Sequence, residues 1–85
     1  MPKSVFTDAY QNVTAVLVSA RHDAGLHQSQ LAAKIGKDQS FISNIERGHR
    51  RVDILEFYAI AKAMKCDPVE LFAAIVDRLP SKITI

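Results

Sequence analysis

Apolar side chains recur at intervals of three and four residues along most of this chain, and strand-like alternation is confined to the last five residues. Because such spacing places apolar residues on one face of a helix, it predicts a helical protein. We predict a first helix over about residues 5–24, ended by Gly25, where a left-handed cap favours glycine. Its apolar face contains Phe6, Tyr10, Val13, Leu17, Ala20 and Ala24.

Two short helices are predicted next. The first runs over about residues 28–35 and is ended by Gly36. Asp38 then stands where its carboxylate can cap the free amides of another helix, which Gly48 ends. The inward-facing residues of this pair are Leu31, Ala32, Ile35, Ile42 and Ile45.

The last two helices have the clearest start signals. Asp53 and Glu56, three residues apart, match a capping box. Asp67 followed by Pro68 gives an N-cap and a proline at the first helical position, which predicts a fifth helix up to about Leu79. The buried positions of the fourth helix are predicted to include Leu55, Phe57, Ile60, Ala61 and Met64. The expected fold is all-α, with five helices.

Composition limits the function. With 85 residues, 48% of them apolar, the chain is expected to form one domain over residues 1–85. A single cysteine, Cys66, indicates a reducing and therefore cytoplasmic environment, and we expect it to be a small core residue. His22 and His27 do not have metal-site spacing, and no catalytic or cofactor motif is evident. We therefore expect a binding protein without cofactor, metal, small-molecule ligand or membrane partner, and not an enzyme.

Positive charge is concentrated in one segment. Residues 34–51 contain five basic and two acidic side chains, a net charge of +3, whereas the rest of the chain sums to −1. Local positive potential suits a phosphate-binding surface. A solvated basic stretch is the alternative, and charge alone does not decide between them.

Two short helices joined by Gly36, Lys37 and Asp38 should cross steeply, as in a helix-turn-helix. Residues 17–72 resemble the Cro and phage-repressor (XRE-type) helix-turn-helix family. The resemblance implies a lambda-repressor-like domain, with the helix-turn-helix over about residues 28–47. The matching residues are Arg21, Gly25-Leu26, Gln28, Leu31-Ala32, Ile35-Gly36, Ile42-Ser43, Ile45-Glu46-Arg47-Gly48, Ile60-Ala61, Asp67 and Glu70-Leu71.

The resemblance also implies a partly buried ion pair between Arg21 and Glu46. We favour the pair over two independent surface charges, because an unpaired Glu46 would place negative charge beside bound DNA. Glu46 stands at the end of the third helix, next to the positions expected to face DNA.

Residues expected to meet DNA follow from the facing of the third helix. By resemblance, Gln39, Ser40 and Asn44 match the positions that contact base edges in the major groove. The alternative is that this face is polar only because it is exposed to solvent. Expected contacts to the DNA backbone are Gln28, Lys37, Phe41, Ser43, Arg47, Arg50 and Arg51.

Four positions at or near the expected DNA contacts depart from the family pattern or allow two interpretations. His27 stands where the family usually has a Ser or Thr cap, and Lys37 where it often has an apolar residue. Phe41 either packs on DNA or covers the edge of the core, and Arg47 either contacts phosphate or is simply solvated. Phosphate contacts position a protein on DNA without reading sequence.

The fifth helix and the tail, residues 68–85, carry more apolar surface than a small core needs. We expect them to hold a symmetric homodimer, with the tail able to pair as a short strand with another chain. The alternative is that this surface packs on the first helix and the tail frays. The residues expected at the dimer interface are Phe72, Ile75, Val76, Leu79, Ile83 and Ile85.

The function expected from these features is sequence-specific binding of double-stranded DNA. A prokaryotic or phage transcriptional repressor or regulator, acting as a dimer on a palindromic operator, is the leading hypothesis. The alternative is a protein-interaction module, antitoxin-like or a scaffold, that uses the same fold with little affinity for DNA.

Overall fold

The computed structural model describes residues 8–84. They form five helices and no strand, so the all-α prediction is confirmed. The predicted first turn of helix 1, with Phe6, lies outside these residues. The helices are α1 (Asp8–Asp23), α2 (Gln28–Lys34), α3 (Gln39–Glu46), α4 (Ile54–Ala63) and α5 (Pro68–Val76).

Glycines end α1 and α2 for a conformational reason. Gly25 and Gly36 have φ of +72° and +73°, a region that residues with a Cβ rarely adopt. A Cβ added at either position would meet nothing within 4 Å. Backbone conformation therefore favours glycine here, and close packing does not.

Side-chain caps begin α4 and α5 as the sequence predicts. The Asp53 carboxylate accepts the Glu56 N–H at 2.7 Å, and Glu56 Oε1 accepts the Asp53 N–H at 3.0 Å, which completes the capping box. Asp67 Oδ1 accepts the Val69 N–H at 2.9 Å. These bonds satisfy amides that have no partner within the helix.

α5 ends three residues earlier than expected, at Val76. Arg78 and Leu79 donate their N–H groups to the carbonyls of Ile75 and Val76, which is the i→i−3 pattern of a tighter final turn. Residues 80–84 continue without regular secondary structure.

The core lies between all five helices. Ala32 and Ala61 are completely buried, and at these positions a larger side chain would push neighbouring helices apart. Cys66 packs partly buried against the same cluster. The buried cluster contains Val16, Leu17, Leu31, Ala32, Ile42, Ile45, Ile60, Ala61, Met64, Leu71 and Ile75.

The prediction that Leu55 is buried is wrong. Leu55 is 79% exposed, because it lies on the outward side of the first turn of α4, whereas Ile60 and Ala61 face the core. Every residue in this part of α4 except Glu56 is apolar or aromatic, so hydrophobicity alone does not indicate which side faces inward.

Candidate nucleic-acid interface

The outward side of α3 is polar along its whole length. Ile42 and Ile45 are buried and fix which side of the helix faces the core. The exposed side chains on this side are those of Gln39, Ser40 and Arg47, the residue that directly follows α3. Ser43 and Asn44 are half-buried. The structure therefore brings together on one face the residues expected to contact base edges, which are Gln39, Ser40 and Asn44.

The turn before α3 constrains Ser40. Its hydroxyl donates to Asp38 Oδ1 at 2.6 Å, and this hydrogen bond is the main cause of the lowered pKa of Asp38. Asp38 takes the predicted N-cap position with an extended backbone, but its side chain does not make the expected capping hydrogen bond. Because the Ser40 hydrogen is used within the turn, its oxygen is left to act as an acceptor.

Arg21 and Glu46 form a bidentate ion pair. Arg21 Nε and Nη2 lie 2.6 and 3.0 Å from the two Glu46 carboxylate oxygens, and the side chains are 8% and 10% exposed. Arg21 Nη1 also donates to the Leu26 carbonyl at 2.8 Å. The pair connects α1 to the end of α3 and compensates the negative charge of Glu46.

Hydrogen bonds extend from this pair to the first residue of α3. Gln28 Nε2 donates to Glu46 Oε1 at 2.8 Å, and Gln39 Nε2 donates to Gln28 Oε1 at 3.2 Å. Gln28, expected at the DNA backbone, is half-buried and bridges Glu46 to the exposed Gln39. Its amide orients the side chain of Gln39 at the surface.

At the start of α2 the sequence departs from the family pattern, and a hydrogen bond from the third helical residue partly replaces the missing side-chain cap. The backbone N–H of His27 donates to Gln30 Oε1 at 2.8 Å. This is the half of a capping box that the third helical residue supplies. α2 is therefore anchored at its start although His27 takes the place of Ser or Thr.

Phe41 covers the edge of the core and also supports two cations. It is half-buried against the core cluster. Arg50 Cζ lies 4.6 Å and Lys37 Nζ lies 5.3 Å from the centre of its ring. Both distances are within the range of cation–π attraction. Lys37 in the turn and Arg50 in the α3–α4 loop are thereby gathered next to α3.

The two loop arginines have different surroundings. Arg50 Nη1 and Nη2 each lie 2.9 Å from an oxygen of Glu56, whereas the guanidinium of Arg51 stacks 5.0 Å from the ring of Tyr10 on α1. The Tyr10 hydroxyl also accepts the Val52 N–H at 2.9 Å. The two arginines therefore contact different helices, Arg50 meeting α4 and Arg51 meeting α1.

The second role of Glu56 was not indicated by the sequence. Its place in a capping box accounted for it fully, and its partner Arg50 lies in a loop outside any helical spacing rule. The pKa of Glu56 is lowered mainly by the Arg50 guanidinium.

Arg47, which directly follows α3, donates to Asn44 Oδ1 at 3.1 Å. One of the residues expected to contact base edges is therefore hydrogen-bonded to a positively charged side chain.

An apolar face lies apart from this polar one. Ile75, expected at a dimer interface, is only 2% exposed and belongs to the core, because it stands on the inward side of α5; Leu79 is partly buried too. Ile85 lies outside the described residues. The large apolar side chains exposed on α4, α5 and the tail are Ile54, Leu55, Tyr58, Val69, Phe72, Val76 and Ile83.

A groove joins the α4 and α5 parts of this apolar face. Ile54 and Phe72 both line it, and Phe72 meets Phe57 edge to face with ring centres 6.2 Å apart. The sequence prediction covered only the α5 side. The α4 side was missed because Leu55 was assigned to the core.

Residues 8–84 contain neither a membrane-spanning helix nor a cluster of metal-ligating side chains. None of the helices is long and apolar enough to cross a membrane. In the same part of the chain, His, Cys, Asp and Glu side chains do not cluster in threes as a metal ion would need.

Known proteins resemble this chain over most of its length. A family model described as helix-turn-helix matches residues 18–71. The uncharacterized HTH-type transcriptional regulator y4dJ of Sinorhizobium fredii is 35% identical over 51 residues, which cover 60% of this chain and 66% of that protein. The chain thus spans just under two thirds of that relative.

Solved structures show the same fold. An XRE-family like protein from Pseudomonas syringae matches with a TM-score of 0.77 and 36% identity, over 85% of this chain and 88% of that one. The restriction-modification controller protein C.Esp1396I, solved as a tetramer in complex with its natural 35 base-pair operator, matches with a TM-score of 0.76. The identity is 27%, over 86% of this chain and 96% of that one.

Proposed function

Because this chain belongs to the XRE-type helix-turn-helix family, we propose that it regulates transcription by binding double-stranded DNA in a sequence-specific manner. The proteins that it matches are described as a transcriptional regulator and a restriction-modification controller, which supports a regulator and not an enzyme. Chromosomal DNA as the partner would place it in the cytoplasm of a prokaryotic cell.

The observation that carries the proposal is the constrained polar face of α3. Gln39 is held by Gln28, which is held in turn by the buried pair of Glu46 and Arg21. An amide fixed in this way suits bidentate contact with a base edge, because little side-chain entropy is lost on binding. A polar face exposed only for solubility would not need this chain of bonds.

The cations around Phe41 support the same proposal. Lys37 and Arg50 are gathered beside the start of α3, where contacts to phosphate would hold the helix in register on a duplex. The net charge of +3 over residues 34–51 adds sequence-independent attraction.

We further propose that the protein acts as a symmetric dimer on a palindromic operator. The exposed face formed by Ile54, Leu55, Tyr58, Val69, Phe72 and Val76 supports this, since contiguous apolar surface of this kind marks interaction sites. The C.Esp1396I controller forms a tetramer on its own operator. A two-fold dimer would present two copies of α3 to successive major grooves.

Salt dependence of binding to a mixed-sequence duplex tests the proposal. We expect the logarithm of affinity to fall steeply with the logarithm of salt concentration, by about 0.9 per phosphate contact. Lys37→Ala should lower this slope by about 0.9, whereas Lys62→Ala, in the last turn of α4, should leave it unchanged. No binding at low salt would favour the protein-interaction module instead.

A further inference from the structure

Arg50 is the most constrained cation of the α3–α4 loop. Its Nη1 and Nη2 atoms both donate to Glu56, and Nη1 also donates to the Arg51 carbonyl at 3.1 Å. The ring of Phe41 lies 4.6 Å from Cζ and limits the guanidinium on a further side. Position and plane of this guanidinium are therefore set before any ligand arrives.

The donors that Arg50 has left share one edge. A guanidinium carries five N–H groups, and three of them are used in these bonds. The other two, on Nε and on Nη2, make no hydrogen bond within residues 8–84. These two groups lie side by side and point the same way, which is the geometry that fits two oxygens of one phosphate.

Helix capping does not account for the charge of Glu56. A glutamine at the third helical position completes a capping box as well as a glutamate does. The negative charge of Glu56 also lies beside a surface proposed to bind a polyanion, where alone it would oppose binding. That charge acts on Arg50, since the Glu56 hydrogen bond is the main cause of the raised pKa of Arg50.

We propose that Glu56 is a positioning residue for DNA binding: it clamps one end of the Arg50 guanidinium against Phe41, so that the free Nε–Nη2 edge receives a backbone phosphate. The inference rests on the proposed function. Glu56 itself touches no DNA in this arrangement. It acts by removing the conformational freedom that Arg50 would otherwise lose on binding.

A double-mutant cycle tests the positioning role. Affinity for a mixed-sequence 24-base-pair duplex is measured for the wild type, Arg50→Ala, Glu56→Gln and the double variant. Glu56→Gln keeps the cap and changes only the charge and one acceptor. Arg50→Ala should weaken binding about tenfold in the wild type and about threefold in the Glu56→Gln background, since a charge-assisted phosphate bond is worth more when its donor is fixed.

Matched controls separate positioning from net charge. Glu70→Gln makes the same charge change at the same helical position of α5, and Arg78→Ala removes an exposed arginine after that helix. This second pair should show additive effects. If thermal melts show that Arg50→Ala is unfolded at the temperature of the binding measurement, Arg50→Lys is used in its place. Lysine keeps the charge but has no second edge of N–H donors for a phosphate.

The outcomes are distinct. A coupling of about threefold, together with a smaller loss of salt slope for Arg50→Ala in the Glu56→Gln background, supports the inference. Additive effects, or a larger Arg50 contribution without Glu56, overturn it and would make Glu56 an independent charge or a competitor of phosphate. Failure of the wild type to bind duplex DNA at all overturns the proposed function itself.

Discussion

Glu46 accepts hydrogen bonds from two helices besides its own. Arg21 on α1 and Gln28 on α2 both donate to its carboxylate, so one side chain at the end of α3 ties three helices together. Its charge is compensated by Arg21, which lets an acidic residue stand next to a surface proposed for DNA. The same carboxylate orients Gln39 through Gln28.

Removing one partner of the Arg21–Glu46 pair should lower the free energy of unfolding much more than replacing both partners. Glu46→Ala leaves Arg21 buried without its counter-ion, and we expect the free energy of unfolding to fall by about 3 kcal/mol. The combined change Arg21→Met and Glu46→Leu should cost less, because no charge is left buried. Urea unfolding of the wild type and the two variants measures this, and equal losses in both variants would show that the pair is solvated.

The pairing of Glu56 with Arg50 predicts a pH dependence of stability. The pKa of Glu56 is lowered from its usual value of 4.5, mainly by Arg50. The ionised carboxylate is therefore favoured in the folded state, and its contribution is present above pH 4.5 and lost as pH falls through the lowered value.

Glu56→Gln should thus destabilise the protein at pH 7, by less than about 1 kcal/mol because the pair is partly exposed. The difference from the wild type should shrink toward pH 3 in urea titrations. Glu70→Gln serves as the control, since Glu70 pairs with no cation in residues 8–84. A difference that stays constant from pH 7 to pH 3 would contradict the assigned role of the charge.

Among the elements, α4 has the least usual end. Lys65 follows it with φ of +59°, in the left-handed region where a Cβ is unfavourable. The Cys66 N–H reaches back to the Ala61 carbonyl and the Lys65 N–H to that of Lys62. This is the Schellman arrangement, which ordinarily has glycine at the left-handed position.

Lys65→Gly should therefore raise stability, by about 0.5–1 kcal/mol after the greater freedom of glycine in the unfolded chain is subtracted. Thermal melts are expected to show a midpoint a few degrees higher. Lys62→Gly, within the last turn of the same helix, should instead destabilise by about 1 kcal/mol. A loss of stability in Lys65→Gly would mean that the lysine side chain itself stabilises this end.

Signals that act over a few residues let the elements be predicted from sequence. Asp53 with Glu56, Asp67 with Pro68, and the glycines after α1 and α2 work within one helical turn, and each lies where expected. The end of α5 depends on i→i−3 bonds at Arg78 and Leu79, which apolar spacing does not reveal.

Contacts between distant parts of the chain were harder to foresee. The Arg21–Glu46 pair was predicted from family resemblance. The contact of Arg50 with the Phe41 ring and the hydrogen bond between Gln39 and Gln28 depend on how α2, the α3–α4 loop and α3 meet. The exposure of Leu55 has the same origin. An apolar first turn becomes an outer face only once the positions of α1 and α5 beside it are known.

At the scale of the whole molecule, two different surfaces are present. One is the polar and basic surface on α3 and its neighbouring turns; the other is the apolar face of α4 and α5. Chemical contrast of this kind fits a regulator that binds DNA with one surface and a second copy with the other.

Ile54 offers a sharper test of self-association than Ile75 does, because Ile75 is core and its replacement by a charge would unfold the chain. Ile54 is 86% exposed, so Ile54→Glu should leave the fold intact and shift sedimentation at micromolar concentration from dimer to monomer. Ala24→Glu, at an exposed residue after α1, is the charge-matched control. A wild-type protein that sediments as a monomer would contradict the proposed dimer.

Selection of bound sequences from a random pool of duplex DNA tests the central claim most directly. The wild type should enrich a short inverted repeat, and Gln39→Ala or Asn44→Ala should relax preference at particular positions of each half-site, by about 1–3 kcal/mol per lost bidentate contact. If the bound pool has the same base frequencies as the input, or if both variants leave the enriched motif unchanged, α3 does not read DNA sequence.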